Sequence, residues 1–321
     1  VRITVAGSIA TDHLMTFPGK FSELFLADRL DRVSLSFLAD RLEVRRGGVA
    51  ANIAFGLGRL GLAPRLAGAV GPDFGDYGDW LRDHGVDTSA VRVSQERHTA
   101  RFTCTTDLVQ NQIATFYPGA MVEAKEIDLG RVGPIDLAVL APDDPEAMLR
   151  HTAQCRELNV PFAADPSQQL ATLDREQTRQ LITGAQFLFT NEYEAALLQE
   201  RSGWTRRQVL ERVRTWITTY GEEGVAIDGP RSLRVPAVPA HDIADPTGVG
   251  DAFRAGYLAG FAWGWPDERA AQLGCALATA VLETVGPQEY KLVASDLAAR
   301  AAESYGQAAA DRIEAGLAEI A

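Results

Sequence analysis

Apolar residues recur along this chain with two periods. Residues 1–7 (VRITVAG) alternate apolar and polar positions as a half-buried strand does, and short apolar runs with strand character follow at 65–70, 137–141, 160–164, 186–190, 215–219 and 224–228. Between most of them, apolar residues return every three or four positions, at 49–62, 73–84, 145–158, 174–183 and 192–213, which predicts helices. Strand followed by helix, repeated, predicts an α/β fold with a central, mostly parallel sheet flanked by helices. From Asp251 onward nearly everything reads as helix, ending in an Ala-rich amphipathic stretch whose Leu297, Tyr305, Ile313 and Leu317 are predicted to face the core.

Two segments break this rhythm. Residues 33–45 and 97–117 alternate with period two and have no helix between their halves, so they read as antiparallel strands. Strands of that kind do not easily join a parallel sheet and are expected to form a small one beside it, a β lid. The predicted division is a large domain of residues 1–13, 46–94 and 119–321, with a discontinuous lid of residues 14–45 and 95–118.

Composition narrows the function classes. The chain has 321 residues, 46% apolar and 23% charged, enough to bury a sizeable core. With 43 Asp and Glu against 31 Lys and Arg, the net charge of −12 repels nucleic acid and acidic membrane surfaces. A small polyphosphate remains a candidate ligand if local donors override the field. Cys104, Cys155 and Cys275 lack the spacing of a disulfide framework or zinc site, which reads as a reducing compartment. No basic-then-apolar leader opens the sequence, and the most apolar stretch, 255–265, is too short for a bilayer span of roughly 20 residues. A cytoplasmic protein without a membrane partner is expected.

The strongest chemical signal is residues 245–251, Asp-Pro-Thr-Gly-Val-Gly-Asp, immediately before the helix-like AFRAGYLAGF. Gly248 and Gly250 lay bare backbone N–H groups at a helix start, with Val249 between them, and such unpaired donors suit phosphate charge. Asp251 would project a carboxylate into the same space. That is awkward for simple phosphate binding, yet it is what a kinase needs to take a proton from an attacking hydroxyl. Asp251 as an ordinary helix cap is the competing explanation. A second glycine turn, Arg46-Gly47-Gly48 leading to Asn52, offers backbone and an amide to a polyol, or is simply a flexible turn. Asp12, in GSIATD after the first strand, is an acceptor for two hydroxyls or a plain loop aspartate. Asn191 and Glu194 begin a helix after the strand QFLFT. There Glu194 is a candidate for holding magnesium through water, or part of a solvated helix face. Thr219 to Gly224 turns between two strands and is a candidate place for a nucleotide, or simply a turn. Phe102 and Phe116 fall on inward phases of their strands and would stack on a base or merely pack the sheet. Neither a GxxxxGK[ST] loop nor a GxGxxG after the first strand is present, which excludes a Walker-type phosphate site and a dinucleotide-binding start.

The order of these pieces, Asp12, then GG with Asn52, then NxxE at 191–194, TxGxxG at 219–224 and DPTGVGD before a helix, resembles the ribokinase-like (PfkB) family of carbohydrate and nucleoside kinases. Within it, GSIATDHLM, SLSFL, ARFTCTTD, QIATFYPGAM, FAADPSQQL and DPTGVGDAFRAG look like the adenosine kinases of actinobacteria. The resemblance implies a ribokinase-like fold and an ATP-dependent adenosine kinase forming AMP and ADP in purine salvage. In it Asp251 is the base for the ribose 5′-hydroxyl and the N–H groups of residues 248–251 receive the phosphoryl group. Asp12, Gly48 and Asn52 grip the ribose, with Ser8, Ser36, Gln168 and Gln169 completing the pocket, and Phe102 and Phe116 sandwich adenine. Asn191 and Glu194 organise Mg2+–ATP, while Thr219, Gly221 and Gly224 line its adenosine moiety. A homodimer through the lid is implied, as is a K+ ion around residues 284–290, without assigned ligands. Thr172 stands where an arginine is expected, and Val249 where the wider family has alanine. The alternatives are a sugar kinase of the ribokinase or fructokinase type, and a non-catalytic nucleoside sensor.

Overall fold

A computed structural model describes residues 1–25 and 34–318. The chain opens with β1 (Ile3–Ala6), β2 (Ala10–Thr16), β3 (Arg41–Gly47) and α1 (Val49–Arg59). Next come β4 (Arg65–Ala67), β5 (Ala69–Val70), α2 (Gly75–Asp83), β6 (Arg92–Val93), β7 (Ala100–Thr106) and β8 (Gln112–Tyr117). The middle of the chain runs β9 (Leu137–Leu140), α3 (Pro145–Glu157), β10 (Phe162–Ala164), α4 (Arg175–Ile182), β11 (Phe187–Asn191), α5 (Glu192–Ser202), α6 (Arg206–Leu210) and β12 (Thr215–Thr219). It ends with β13 (Val225–Asp228), β14 (Leu233–Val235), α7 (Val249–Ala262), α8 (Asp267–Leu282), α9 (Ala294–Tyr305) and α10 (Gln307–Ala318).

An eight-stranded sheet in the order β14-β13-β12-β11-β10-β9-β1-β4 forms the centre. It is parallel from β4 to β12, and only β13 and β14 join it antiparallel. Its strands are apolar without alternation because both faces are covered. On one face Val5, Val139, Phe187, Phe189 and Ile217 share a core with α1, α7 and α8, and on the other Leu140, Leu188 and Trp216 pack with Met148, Leu181 and Leu198 of α3 to α5. Since these strands run the same way, their C-terminal ends bring Ser8, Asp143, Asp165, Asn191 and Thr219 to one edge, where open α/β sheets bind ligands.

The smaller sheet has the order β3-β2-β7-β8. It differs from expectation in three ways. Its central pair, β2 with β7, is parallel, because both strands leave the large domain and run outward in the same direction. Strand β2 begins at Ala10, so the expected boundary after residue 13 cuts through it. Residues 34–40 form no strand, and the strand expected over 33–45 starts only at Arg41, while residues 26–33, assigned to the lid, lie outside the described residues. The long helix expected over 192–213 is two helices, because Gly203 takes a left-handed φ of 67° and Thr205 caps a new start. Leu297, Ile313 and Leu317 are buried in the core as predicted, and Tyr305 packs against it.

Helix α7 carries Asp251, and its placement depends on a seam of small residues. A Cβ added to Gly256 would stand 2.7 Å from the Gly274 Cα of α8, and one on Gly260 would stand 2.6 Å from the Ala270 Cα, so the two backbones touch there. Gly256→Ala therefore forces α7 and α8 apart at a cost of about 1–3 kcal/mol. A thermal melt should show a Tm lower by several degrees, and an unchanged Tm would contradict this packing.

Candidate active site

Two helix beginnings converge. Gly48 and Gly248 are the N-caps of α1 and α7, with φ of 93° and 77°, a region that non-glycine residues rarely adopt. At Gly48 a Cβ would also stand 2.6 Å from the Ser8 carbonyl oxygen, and at Gly248 it would run into the Pro287 side chain. One turn into each helix, Asn52 Nδ2 donates to Asp251 Oδ2 at 2.9 Å. One turn further along, Gly56 lies against Ala255, where an added Cβ would come within 2.6 Å of the Ala255 Cβ, and this close approach holds the two helices in that register. Behind the pair, Gln288 Nε2 donates to Asn52 Oδ1 at 2.9 Å and to the Tyr77 hydroxyl at 2.6 Å, and that hydroxyl donates to the Gly47 carbonyl at 2.9 Å. The chain from Gly47 to Asp251 orients the Asn52 amide so that its NH2 group faces the carboxylate.

Asp251 is buried, and its carboxylate accepts from Asn52 of another helix rather than capping α7, whose N-cap is Gly248. Arg254, one turn later, places Nη1 3.8 Å from Asp251 Oδ1 and bonds Asp165 Oδ1 through Nη2 at 2.7 Å. Burial pushes the Asp251 carboxyl up to about 6, against the pull of Arg254 and the Asn52 hydrogen bond. Burial likewise raises Asp165 to about 7, with the charges of Glu194 and Asp251 adding to it. Asp251 is thus ionised at neutral pH yet more basic than an ordinary carboxylate. Of the N–H groups of residues 248–251 expected to receive an anion, that of Val249 donates to the Pro246 carbonyl at 3.4 Å, while those of Gly250 and Asp251, in the first turn, have no carbonyl inside the helix to bond. Acidic oxygen and main-chain donors sharing one space can take a proton and receive an anion.

The smaller sheet contributes one row of neighbours. Arg45, Asp12, Phe102 and Phe116 lie in register across β3, β2, β7 and β8, so their side chains share a face. Asp12 is therefore a strand residue and not a loop one, and burial raises its carboxyl to about 6, opposed by Arg45 and reinforced by Asp245. Phe102 and Phe116 are direct cross-strand partners, side by side as a floor rather than facing each other as the two walls of a sandwich, and Phe116 is 51% exposed.

Other predicted residues have local jobs. Ser8 Oγ accepts from the Val49 N–H at 3.1 Å and so caps α1. Ser36 is exposed in the non-strand stretch. The Gln169 side chain donates to the Asp143 carbonyl and accepts from Thr172 Oγ1 at 2.9 Å, so Thr172, in the place of the expected arginine, tethers Gln169. Exposed Gln168 accepts from Ser167. Asn191 and Glu194 form a capping box on α5: Asn191 Oδ1 accepts from the Glu194 N–H at 2.7 Å and Glu194 Oε2 from the Asn191 N–H at 2.8 Å. Thr219 ends β12, Gly221 is exposed with a φ of 57°, and Gly224 lies so close to β14 that a Cβ would strike the Val235 carbonyl.

For magnesium, the described residues hold no ready group of three or more His, Cys, Asp or Glu. Glu194 Oε1 keeps only a 3.3 Å contact to Ser167, and Asp165 Oδ2 is buried without a partner. With one guanidinium among Asp165, Glu194 and Asp251, this set fits a cation carried in by polyphosphate and held through water, rather than an all-protein cage.

Residues 11–293 match the model of the pfkB family of carbohydrate kinases. The chain belongs to that family. A nucleoside kinase of Methanocaldococcus jannaschii is 29% identical over 290 residues, covering 89% of this chain and 92% of that protein. The Burkholderia thailandensis nucleoside kinase, solved with inosine, is 35% identical with a TM-score of 0.85, covering 95% of this chain and 97% of its own. Its complex with ADP-inosine superposes with a TM-score of 0.80 at 35% identity, over 95% and 96% of the two chains.

In this kinase, the supporting residues that sequence reasoning missed are Tyr77, Asp165, Arg254 and Gln288. Asp165 and Arg254 stand in the quoted segments FAADPSQQL and DPTGVGDAFRAG, and Gln288 in TVGPQEY, but only the fold shows what they touch. If Asp251 is the base it works only when ionised, so kcat at saturating substrates should then fall about tenfold per pH unit below about 6, a limb displaced upward from that of an ordinary carboxylate. Asp251→Asn should cost at least about a hundredfold in kcat. A pH series on both proteins checks this, and near-normal turnover by the variant would remove Asp251 from the chemistry.

Proposed function

We propose that the chain is an ATP-dependent nucleoside kinase that moves the γ-phosphate of ATP onto the 5′-hydroxyl of adenosine, giving AMP and ADP. The observation that carries this reading is the buried Asp251 carboxylate, held by Asn52 at 2.9 Å beside the open start of α7. In this role Asp251 takes the proton of the 5′-hydroxyl, and the N–H groups of Gly250 and Asp251, with Gly248 and Val249 shaping the turn, meet the migrating phosphoryl group. Asp12 accepts from ribose hydroxyls, with Gly48 and Asn52 beside them, and Phe102 and Phe116 offer a floor on which a flat base stacks. Ser8 and the Asp143-bound Gln169 act by holding the pocket walls, while Gln168 and Ser36 remain proposed contacts at its rim. Asn191, Thr219, Gly221 and Gly224 border the ATP side. Glu194 would hold through water the magnesium that the family resemblance implies, and that ion would supply positive charge against the charge developing on the phosphates. Consumption of ATP fits a cytoplasmic enzyme of purine salvage.

An aromatic floor beside Asp12 favours a nucleoside over a free sugar, which has no base to stack. The Burkholderia relative's inosine complex makes inosine the first competitor to compare. Exposed Leu42, Val44, Ile113 and Tyr117 lie on the opposite face of the small sheet from Asp12, and we include in the proposal a homodimer closed through that outer face. Sedimentation at micromolar concentration tests it, a monomer being the contrary result.

ATP turnover across adenosine, inosine, guanosine, ribose and fructose should show the highest kcat/KM for adenosine, with the sugars nearly inert. Preference for ribose or fructose would overturn the nucleoside reading, and ADP release without any acceptor dependence would overturn the kinase mechanism. Stacking is worth about 1–3 kcal/mol per base, so Phe116→Ala should raise the nucleoside KM about fivefold or more with kcat little changed. An unaltered KM would move the base site elsewhere.

A further inference from the structure

The family resemblance implies a K+ ion near residues 284–290, beside the loop that leads into α7. A potassium site needs oxygen ligands with free lone pairs, and at Asp245 the structure supplies backbone N–H donors and a guanidinium instead. Asp245, the acidic residue at the head of the DPTGVGD loop, is encircled by donors. Its Oδ1 accepts from the Thr247 N–H at 2.9 Å, and its Oδ2 accepts from the Gly286 N–H at 3.1 Å and from Arg45 Nη1 at 2.7 Å. Burial pushes the Asp245 carboxyl up, but the bonds from Thr247 and Gly286 and the charge of Arg45 outweigh it and leave the group below its usual range. The guanidinium comes from β3 of the small sheet and is steadied from its other side by Glu43, whose Oε2 accepts from Nη2 at 2.6 Å. The next residue, Arg46, lies 4.1 Å over the Trp80 ring and 3.2 Å from Glu289. The end of β3 is thereby pinned to the large domain on both of its faces.

We propose that Arg45 does, from the small sheet, the electrostatic work that a monovalent cation would do at Asp245, and that it is a positioning residue for the start of α7. By neutralising Asp245 it holds together two loops: residues 245–248, which end in the left-handed Gly248, and residues 286–288, which pack Pro287 under Gly248 and aim Gln288 at Asn52. A cation entering this site meets the charge of the guanidinium, and the two oxygens of Asp245 already accept three hydrogen bonds from nitrogen, of the about four a carboxylate can take. The same Arg45 stands next to Asp12 in the row across the sheet, so the charge that organises the phosphate side also lies beside the proposed ribose acceptor. The inference rests on the nucleoside-kinase reading for its activity readout but not for its stability readout.

The test compares K+ with choline at a matched ionic strength of roughly 100 mM, measuring nucleoside phosphorylation and Tm. Wild type should change its kcat by less than about twofold between the two salts and show no K+-specific Tm gain. Arg45→Ala leaves a partly buried carboxylate without its cation. Its kcat in choline should fall about tenfold or more, and K+ should recover part of the loss and raise the Tm, while Arg45→Lys, which keeps the charge, should hold most of the activity without K+. Saturable activation of the wild type by K+ of about tenfold would overturn the proposal, as would Arg45→Ala turning over normally in choline. If no nucleoside is phosphorylated by wild type, the functional reading fails and the Tm arm still decides the role of Arg45. If Arg45→Ala does not fold, the wild-type salt comparison and Arg45→Lys decide it.

Discussion

One hydrogen bond organises this site, the 2.9 Å contact from the Asn52 amide to the Asp251 carboxylate. It joins the first turns of two helices that begin from two glycine caps, and it exists because α1 and α7 touch one turn further on, where Gly56 admits Ala255. A bulkier residue at that crossing would part the helices and the bond with them. What makes the bond consequential is where it sits. Helix starts expose unpaired N–H groups, so a carboxylate fixed between them stands beside backbone that carries partial positive charge.

The charges around this point are unbalanced by design of the fold. Asp251, Asp165 and Glu194 approach one another, and among the described residues the buried Arg254 answers them, bonded directly to Asp165 and more distantly to Asp251. Burial keeps Asp251 basic, with the charge of Glu194 adding to it, and the surplus negative charge fits a cation that would arrive with a polyphosphate. At Asp245, a few residues upstream, the balance is different: a guanidinium and two N–H groups satisfy the carboxylate without outside help. Family membership, the open helix start and the aromatic floor beside Asp12 together make phosphoryl transfer to a nucleoside hydroxyl the activity that uses every one of these features.

Much of this was legible in the sequence because the signals were local. DPTGVGD before a glycine-rich helix announces an open helix start within seven residues, and the apolar runs mark the strands of a doubly covered sheet. The parts that were not legible are contacts between distant segments. Gln288 and Asn52 are 236 residues apart, and Arg45 and Asp245 are 200 apart, so nothing in the neighbourhood of either announces its partner. Strand β2 was also hidden: ATDHLMT does not alternate cleanly, because a strand paired on both sides is stabilised by its ladders with β3 and β7 more than by a buried apolar face. Asn191 and Glu194 show the converse. Their spacing fits a ligand role, and the same spacing makes the capping box that the fold forms through Glu194 Oε2, so the sequence pattern alone does not separate the two.

The account stands on Asp251 meeting a nucleoside's primary hydroxyl at the start of α7. A crystal structure with adenosine, ADP and aluminium fluoride measures that directly. The account predicts the carboxylate within about 3.2 Å of the 5′-oxygen, with the fluoride against the N–H groups of Gly250 and Asp251. A bound nucleoside whose 5′-oxygen lies out of reach of Asp251, with the fluoride held elsewhere, would contradict it.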